Sequence, residues 1–300
     1  MRGRTVFITG AARGIGAASA ERLHARGANV ALVGLEPERL QALARRLGED
    51  RVSWHEADVT DLEALRGAVE ETVARFGGID VAIANAGIAF SGTLAGAPVE
   101  QVERTLAVNF LGVWRTDRAV IDRIVERRGY LLNIASLSAV AHAPLMGPYT
   151  AAKAGVEALT DALRMETAPS GARVGCAYFG FIDTDLVKAA YAQPSAELVN
   201  SRTPAFVRNP APIGKAVDAI ERGIERRAAR VLSPRWIGAA IALRGLIQPL
   251  TEMRALKDQG HLAEAMRLAD LPPQQDAEPD PLLGVSAQAL ATPAPSRISR

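Results

Sequence analysis

The chain has 300 residues, 48% of them hydrophobic, which is enough apolar material for one large α/β domain or two small ones. Its formal net charge is only +2, and its basic runs, such as 126–128, also contain glutamate, which argues against a nucleic-acid surface. The single cysteine excludes a disulfide within the chain, and the four scattered histidines predict no metal site. The first strand begins by residue 4, which leaves no room for a signal peptide and predicts a cytoplasmic protein.

Residues 4–33 predict a strand, a glycine-rich turn, a helix and a second strand, in that order. This succession is the context that a dinucleotide-binding turn requires. Gly10 permits the tight turn, Gly14 lets the backbone approach a pyrophosphate, and Gly16 allows the helix to pack closely on the strand. The N-terminus of the helix then faces the anion. The predicted bounds of the four elements are 4–9, 10–16, 17–26 and 29–33.

Further along the chain, apolar strands alternate with amphipathic helices, and this pattern predicts a parallel sheet covered on both faces. The predicted strands are 52–56, 81–85, 130–135, 174–179 and 229–234. The predicted helices are 38–47, 61–76, 99–127 and 149–168. We therefore expect an α/β fold in residues 1–234, a single Rossmann-type doubly wound parallel sheet.

Tyr149 and Lys153 stand four residues apart in the last of these helices, so their side chains project from one face. A free phenol loses its proton only at about pH 10, and an ammonium group one turn away moves the pKa of the phenol toward neutrality. Ser136, upstream of the helix, can donate a hydrogen bond to the same substrate oxygen. The three residues together predict a site that gives a proton to, or takes one from, the oxygen of a substrate that interconverts between alcohol and carbonyl.

Several motifs follow one another in a characteristic order. Residues 9–16 read Thr-Gly-Ala-Ala-Arg-Gly-Ile-Gly, and they are followed by Asp58-Val59, Asn85-Ala86-Gly87, Asn109, the run 133–136, Tyr149 and Lys153. In this order and spacing, from about residue 3 to about residue 233, the chain resembles the classical short-chain dehydrogenase/reductase family. The resemblance implies an oxidoreductase with a nicotinamide coenzyme.

The resemblance also implies a role for each site residue. Tyr149 is the expected general acid and base, Lys153 lowers its pKa and contacts the nicotinamide ribose, and Ser136 orients the substrate oxygen. Asn109 is expected to hold a water molecule that relays protons from the lysine to solvent. The implied coenzyme-binding residues are Gly10, Arg13, Gly14, Ile15, Gly16, Gly34, Asp58, Val59, Asn85, Ala86, Gly87, Tyr149, Lys153, Gly180, Ile182 and Thr184.

The expected substrate-binding residues are Ser136, His142 and Tyr149. His142 lies in a stretch that lines the substrate pocket in this family, and the alternative is an ordinary loop histidine. Residues 185–212 form the region that caps the substrate in relatives, and here they contain few fixed charges. An apolar lid of this kind predicts a lipophilic or bulky secondary alcohol or ketone as the small-molecule substrate.

Coenzyme choice depends on the end of the second strand. A carboxylate there would bind the adenosine ribose and repel a 2′-phosphate, but alignment with the family places Gly34 at this position. Arg13 in the glycine turn can pair with the phosphate, whereas Glu36 can turn toward a ribose. We therefore expect NADP(H), with NAD(H) as the alternative.

The sequence after the last strand departs from the family pattern. The apolar segment 236–250 is too short to span a bilayer, and residues 235–271 are predicted to form a helical extension. Three interpretations of the segment stay open: a helix packed on the pocket or on a dimer partner, a helix lying in a membrane interface, and a loose appendage. The Pro-, Ala- and Gln-rich residues 272–300 predict a disordered tail.

A second functional class is a non-catalytic dinucleotide-binding redox sensor or interaction module. Degenerate relatives of that kind usually lose the tyrosine or the lysine, but this chain has Asn109, Ser136, Tyr149 and Lys153. The enzyme is therefore the favoured hypothesis. By analogy with the family, the long helices 99–127 and 149–168 predict a homodimer or homotetramer.

Overall fold

The computed structural model describes residues 1–193, 195–201 and 203–270, so the predicted tail 272–300 lies outside the described residues. At its centre is a parallel sheet with the strand order β3-β2-β1-β4-β5-β6-β7. The strands are β1 (Thr5–Thr9), β2 (Asn29–Gly34), β3 (Val52–Glu56), β4 (Val81–Ala84), β5 (Tyr130–Ile134), β6 (Arg173–Phe179) and β7 (Arg230–Ser233). The order reverses between β1 and β4, which opens a crevice at their carboxyl ends.

Helices cover both faces of the sheet, as the alternating pattern predicted. The helices are α1 (Gly14–Ala25), α2 (Pro37–Leu47), α3 (Leu62–Phe76), α4 (Val99–Leu106), α5 (Gly112–Glu126), α6 (Gly147–Thr167), α7 (Asp185–Tyr191), α8 (Ala196–Ser201), α9 (Ala205–Arg208), α10 (Ile213–Arg226), α11 (Ile237–Ala242), α12 (Arg244–Lys257) and α13 (Gln259–Ala269). One core packs α1, α2 and α10 against the sheet, and the core on the opposite face packs α3, α5 and α6. The doubly wound α/β fold is therefore confirmed.

Burial on both faces explains why the central strands are continuous apolar runs. Every residue of β1 and of β5 is buried, and the largest fully buried side chains include Phe7 and Tyr130. The predicted strand bounds agree with the structure to within one residue, because such runs are unambiguous when they alternate with helices. Helix starts differ more, since α1 begins three residues earlier than predicted, within the glycine turn itself.

The predicted helix 99–127 is not a regular α-helix. A π-helical turn, Ala107–Leu111, joins α4 to α5. Asn109 lies in this turn and its side chain bonds both backbone groups of Ile88, in the loop after β4. A π-turn adds one residue to the helical circuit, and such turns often occur at functional sites. A hydrophobic pattern cannot indicate this turn, because the helix continues on either side of it.

The apolar segment 236–250 is divided between two helices that meet at Leu243. The side chains of Ile237 and Ile241 are buried in the core beneath α6, whereas α12 has no buried residue and exposes Leu246 and Leu250. Arg244, the first residue of α12, forms an ion pair with Glu157 on α6. The predicted helical extension is confirmed as α11–α13. Among the described residues, no helix has both the length and the apolar character needed to cross a bilayer.

Candidate functional site

A cavity of about 450 Å³ opens at the carboxyl ends of the central strands. It is the crevice expected at the point where the strand order reverses. All of the residues predicted to hold the coenzyme line it, with the exception of Gly16. They are Gly10, Arg13, Gly14, Ile15, Gly34, Asp58, Val59, Asn85, Ala86, Gly87, Tyr149, Lys153, Gly180, Ile182 and Thr184.

The glycine turn forms the floor of one end of this cavity. Gly10 and Gly14 adopt φ angles of +65° and +58°, a conformation that residues other than glycine rarely adopt. Gly16 has a packing role, because a Cβ atom there would lie 2.2 Å from the carbonyl oxygen of Gly10. The amide of Asn85 donates to the carbonyl oxygens of Thr9 and Gly10 at 3.0 and 3.2 Å, which fixes the turn to the end of β4.

The first turn of α1 is left without a side-chain cap, so its N–H groups are available to an anion. Gly14 and Ile15 at this helix end both line the cavity. A pyrophosphate can approach the backbone closely at Gly10 and Gly14, where no side chain stands in the way, and it can accept hydrogen bonds from these N–H groups. The residues present therefore fit a dinucleotide.

At the far end of β2, Arg13 and Glu36 form a bidentate ion pair across the cavity wall. Arg13 Nε lies 2.6 Å from Glu36 Oε2, and its Nη2 also contacts Oε1. The Nε of Arg39 approaches the same carboxylate at 3.4 Å, and Gly34 leaves the strand end without a side chain. Arg13, which the sequence predicted to pair with a 2′-phosphate, is thus already paired with the carboxylate of Glu36. Glu36 is the residue expected from the sequence to turn toward the adenosine ribose.

Asp58 lies on the neighbouring wall of the cavity. Burial raises the pKa of its carboxyl group, but a hydrogen bond from the Thr60 backbone N–H and the charge of Arg104 outweigh burial and leave the pKa below its usual value. Arg104 Nη2 lies 3.1 Å from Asp58 Oδ2, and Arg104 also lines the cavity. Sequence reasoning missed Arg104 because it lies in an ordinary amphipathic helix far along the chain, and no motif marks it.

Tyr149 and Lys153 project from α6 into the cavity, and Ser136 lies at the end of β5 beside them. The Lys153 side chain is buried at 4% exposure, and burial lowers the pKa of its ammonium group to about 8. Its Nζ donates to the Ile134 carbonyl oxygen at 2.8 Å and lies 5.8 Å from the centre of the Tyr149 ring. The half-buried phenol of Tyr149, the hydroxyl of Ser136 and the buried ammonium of Lys153 thus lie in the same wall of the cavity.

The pKa of Tyr149 departs from the expectation. Burial raises the pKa of its phenol above the usual value, and a hydrogen bond with Ser136 opposes this rise only in part. The reason is that Lys153 is itself desolvated and donates to a carbonyl oxygen rather than to the phenol. The lowering of the phenol pKa by the lysine stays a prediction.

Asn109 lies at the back of the cavity and is fully buried. Its Oδ1 accepts from the Ile88 N–H at 2.9 Å, and its Nδ2 donates to the Ile88 carbonyl oxygen at 2.8 Å. A Cβ atom at Gly87 would lie 2.8 Å from Asn109 Oδ1 and 3.8 Å from Lys153 Nζ, so the three residues are adjacent. Asn109 thereby fixes the loop after β4 next to the lysine.

Ser136 and Tyr149, two of the three predicted substrate residues, are together in the cavity wall, but His142 is not. His142 is exposed, and its backbone N–H donates to Gln248 Oε1 on α12 at 3.0 Å. On the other side of the cavity Thr184 caps α7, and Leu186 and Val187 from that helix line the opening. The part of the predicted lid that lines the cavity thus contributes the carboxylate of Asp185 as well as the apolar side chains of Leu186 and Val187.

A family model described as short chain dehydrogenase matches residues 4–195. The chain is 35% identical over 198 residues to the 2-(R)-hydroxypropyl-CoM dehydrogenase of Xanthobacter autotrophicus, a match that covers 64% of this chain and 79% of that protein.

Two solved structures are similar in fold and in sequence. Levodione reductase superposes with a TM-score of 0.73 at 26% identity, covering 80% of this chain and 99% of the other. An alcohol dehydrogenase from the archaeon Thermococcus sibiricus, complexed with 5-hydroxy-NADP, superposes with a TM-score of 0.67 at 27% identity, covering 76% of this chain and 95% of the other.

Proposed function

The chain belongs to the short-chain dehydrogenase family of oxidoreductases, and from that premise we propose that it transfers a hydride between NADP(H) or NAD(H) and a secondary alcohol or its ketone. The observation that carries this proposal is that Ser136, Tyr149 and Lys153 share one cavity wall with the glycine turn. The similar proteins bear the names of a dehydrogenase, a reductase and an alcohol dehydrogenase, which supports the reaction class.

In this mechanism the protein supplies orientation and a proton, and the nicotinamide, when bound, supplies or accepts the hydride. In ketone reduction Tyr149 donates its phenolic proton to the substrate oxygen, while Ser136 donates a hydrogen bond to the same oxygen. In alcohol oxidation the tyrosine accepts that proton. The ammonium of Lys153 favours the phenolate form of Tyr149, because an opposite charge nearby stabilises the ionised phenol.

The other residues hold these groups in place. Asn109 fixes the loop at Ile88, and the carbonyl oxygen of Ile134 orients the Lys153 ammonium. The coenzyme would be held by the glycine turn and the N-terminus of α1 at its pyrophosphate, and by Asp58 and Val59 at its adenine. Gly180, Ile182 and Thr184 would border its nicotinamide end.

NADP(H) is the proposed preferred coenzyme. Arg13 and Arg39 both face the Glu36 carboxylate. The region predicted to hold the adenosine ribose therefore has a net charge of +1 from these three residues. A 2′-phosphate could replace Glu36 as their partner, and Gly34 places no carboxylate in its way. The ratio of kcat/KM values for NADPH and NADH tests this preference, and a strong preference for NADH would contradict it.

The proposed substrate is lipophilic, because Ile88, Leu186 and Val187 line the cavity that also holds Tyr149 and Ser136. A panel of ketones and secondary alcohols of increasing apolar size, followed by nicotinamide absorbance, tests the class. We expect kcat/KM to rise with apolar size, as it does when CH₂ groups leave water. Preferential turnover of charged, small substrates would contradict this part of the proposal.

The decisive variant for the reaction is Tyr149→Phe. We expect kcat to fall about 10³-fold, the scale of a lost general acid, while the Kd of the coenzyme stays unchanged. Tyr191→Phe is the control, because that hydroxyl bonds the Arg208 carbonyl oxygen in the lid and should matter little for proton transfer. Substantial residual turnover in Tyr149→Phe would remove this residue from the mechanism.

The proposed assembly is a homo-oligomer in the cytoplasm. Leu111, Trp114 and Met165 are exposed on the π-turn, α5 and α6, where the resemblance places the subunit interface. Contact of α12 with a membrane surface is the alternative use of its exposed Leu246 and Leu250. Light scattering after size-exclusion chromatography tests the first proposal, and sedimentation with liposomes tests the second.

A further inference from the structure

The C-terminal extension contacts each loop around the substrate end of the cavity, although none of its described residues lines the cavity. We call residues 237–270, which comprise α11–α13 and Asp270, the strap. Its contacts reach the loop after β4, the loop between β5 and α6, and the lid. The strap therefore touches the site indirectly, through the loops that carry or border the reacting residues.

The contact after β4 is a carboxylate held in a turn. Asp270 accepts hydrogen bonds from the backbone N–H of Thr93 at 3.2 Å and from its hydroxyl at 2.8 Å. The Thr93 hydroxyl also accepts from the Gly96 N–H at 2.9 Å. A Cβ atom at Gly96 would lie 2.7 Å from Asp270 Oδ2, so the carboxylate packs directly on Gly96 and would have to shift for a larger residue.

From this turn the contacts lead directly to the catalytic helix. Leu94, the neighbour of Thr93, packs on Gly147 so closely that a Cβ atom at Gly147 would lie 2.8 Å from Leu94 Cδ2. Gly147 is the first residue of α6, and Tyr149 follows two residues later. The Gly92 N–H also donates to the Leu145 carbonyl oxygen at 3.0 Å, which joins the two loops.

The lid and the catalytic helix are fixed by two other strap residues. His261 Nε2 donates to the Leu198 carbonyl oxygen at 2.7 Å, in α8 of the lid. Arg244 Nη1 lies 3.1 Å from Glu157 Oε2 on α6, and the same buried carboxylate accepts from the Tyr178 hydroxyl at 2.9 Å. Glu157 stands on the helical face that also carries Tyr149 and Lys153, one turn further along.

We propose that Asp270 is a positioning residue: bound in the Thr93–Gly96 turn, it holds the loop after β4 against the start of α6 and so fixes Tyr149 relative to the substrate oxygen. The proposal rests on the proposed oxidoreductase function for its kinetic consequence. Without the carboxylate, Leu94 and Gly147 lose their fixed contact, and the substrate meets a less ordered wall. The glycine turn, which β1 and α1 build, is left unchanged.

The test compares Asp270→Ala with Glu264→Ala in the full chain. Glu264 is the control because it lies on the same strap helix, faces solvent and forms an ion pair with its neighbour Arg267. We expect kcat/KM for the ketone to fall about tenfold in Asp270→Ala, the scale of a lost hydrogen bond to a charged group, with the Kd of the coenzyme unchanged. Glu264→Ala should match the unaltered enzyme.

A pair of variants at Thr93 separates positioning from a general loss of packing. Thr93→Ser retains the hydroxyl and should retain kcat/KM, whereas Thr93→Val retains the volume and should reproduce the loss seen in Asp270→Ala. Equal kinetics in Thr93→Ser and Thr93→Val would overturn the proposal.

Amide hydrogen exchange supplies a readout that does not depend on turnover. In Asp270→Ala the amides of residues 89–97 should exchange faster, while those of 5–16 should not change. Unchanged exchange in 89–97 would overturn the proposal, and so would faster exchange without a change in kcat/KM. If the unaltered protein turns over none of the ketones, the proposed function fails, and the exchange result alone then decides the role of Asp270.

Discussion

At the coenzyme end, the cavity is walled by backbone: two glycines with positive φ, an uncapped helix N-terminus and the ends of central strands. At the substrate end, the walls are loops, and side chains from distant parts of the chain hold them, as when Asp270 binds Thr93 across 177 residues of sequence. The first end is attached directly to the sheet, as by the hydrogen bond from the Ala11 N–H to the Val33 carbonyl oxygen at 3.0 Å. The second depends on a few polar contacts, so the two ends should respond very differently to substitution.

At the coenzyme end, the largest effect is expected from Gly16→Ala. The added Cβ atom would lie 2.2 Å from the Gly10 carbonyl oxygen, so the glycine turn must move. We expect coenzyme affinity to fall at least 100-fold, equivalent to about 3 kcal/mol, as measured by titration calorimetry.

Gly67→Ala is the control for this variant. Gly67 is also helical but has open space around its Cβ position, so coenzyme binding should be unchanged and stability slightly higher. Normal affinity in Gly16→Ala would contradict the view that a tightly packed backbone builds this end.

Lys153→Met probes the boundary between the two ends. Burial lowers the pKa of Lys153 from 10.5 to about 8. Below pH 8 the folded protein therefore contains a buried ammonium, which lowers its free energy of unfolding. The unfolded chain binds more protons between these two pH values, so this contribution to stability rises with pH through that window. Lys153→Met should therefore lose turnover yet melt higher at pH 7, by roughly 2–4 °C for each kcal/mol gained in a chain of this size.

Thermal melts of the coenzyme-free protein at pH 7 and at about pH 10.5, the ordinary pKa of a lysine, measure this effect. The gain in Tm from Lys153→Met should shrink as pH rises, because the native protein then no longer holds a charge at this position. Lys215→Met, at an exposed lysine, should change neither Tm nor turnover. A lower Tm in Lys153→Met at pH 7 would contradict this prediction, because it would mean that the lysine stabilises the folded protein.

A smaller effect is expected from Glu36→Gln, at the ribose end of the coenzyme region. The substitution removes the carboxylate that pairs with Arg13 and frees the guanidinium for a 2′-phosphate. The ratio of kcat/KM for NADPH to that for NADH should rise about tenfold, the scale of one charge-assisted hydrogen bond. Glu38→Gln, in the first turn of α2 and exposed, should leave the ratio unchanged.

The smallest effect is expected from Gln248→Ala, at the substrate end. Its Oε1 accepts from the His142 N–H at an exposed position, where water can replace the lost partner. We expect the KM for the ketone to change less than about threefold, the lower range of a single exposed hydrogen bond. A loss as large as that expected for Asp270→Ala would mean that the loop between β5 and α6, rather than the turn at Thr93, transmits the effect of the strap.

The residue pattern alone is enough to predict the sheet, the glycine turn and much of the cavity wall. Apolar runs between amphipathic helices predict a parallel sheet covered on both faces, although they do not give its strand order, and Gly10, Gly14, Tyr149 and Lys153 act through local geometry that spacing reveals. Family resemblance predicted the positions of the others, including Asn109, Ser136 and Thr184, and the structure brings them to the same cavity.

The partners of the polar side chains, in contrast, emerge only when the elements pack together. Four such contacts join residues from different elements: Arg13 with Glu36, Arg104 with Asp58, Lys153 with the Ile134 carbonyl oxygen, and Asp270 with Thr93. No periodicity carries such information, because a charged or polar side chain on a helix surface looks the same in sequence whether it faces solvent or a loop. Whether such a side chain faces solvent or bonds to another element is decided only when the chain packs, because packing sets its burial and its distance to possible partners.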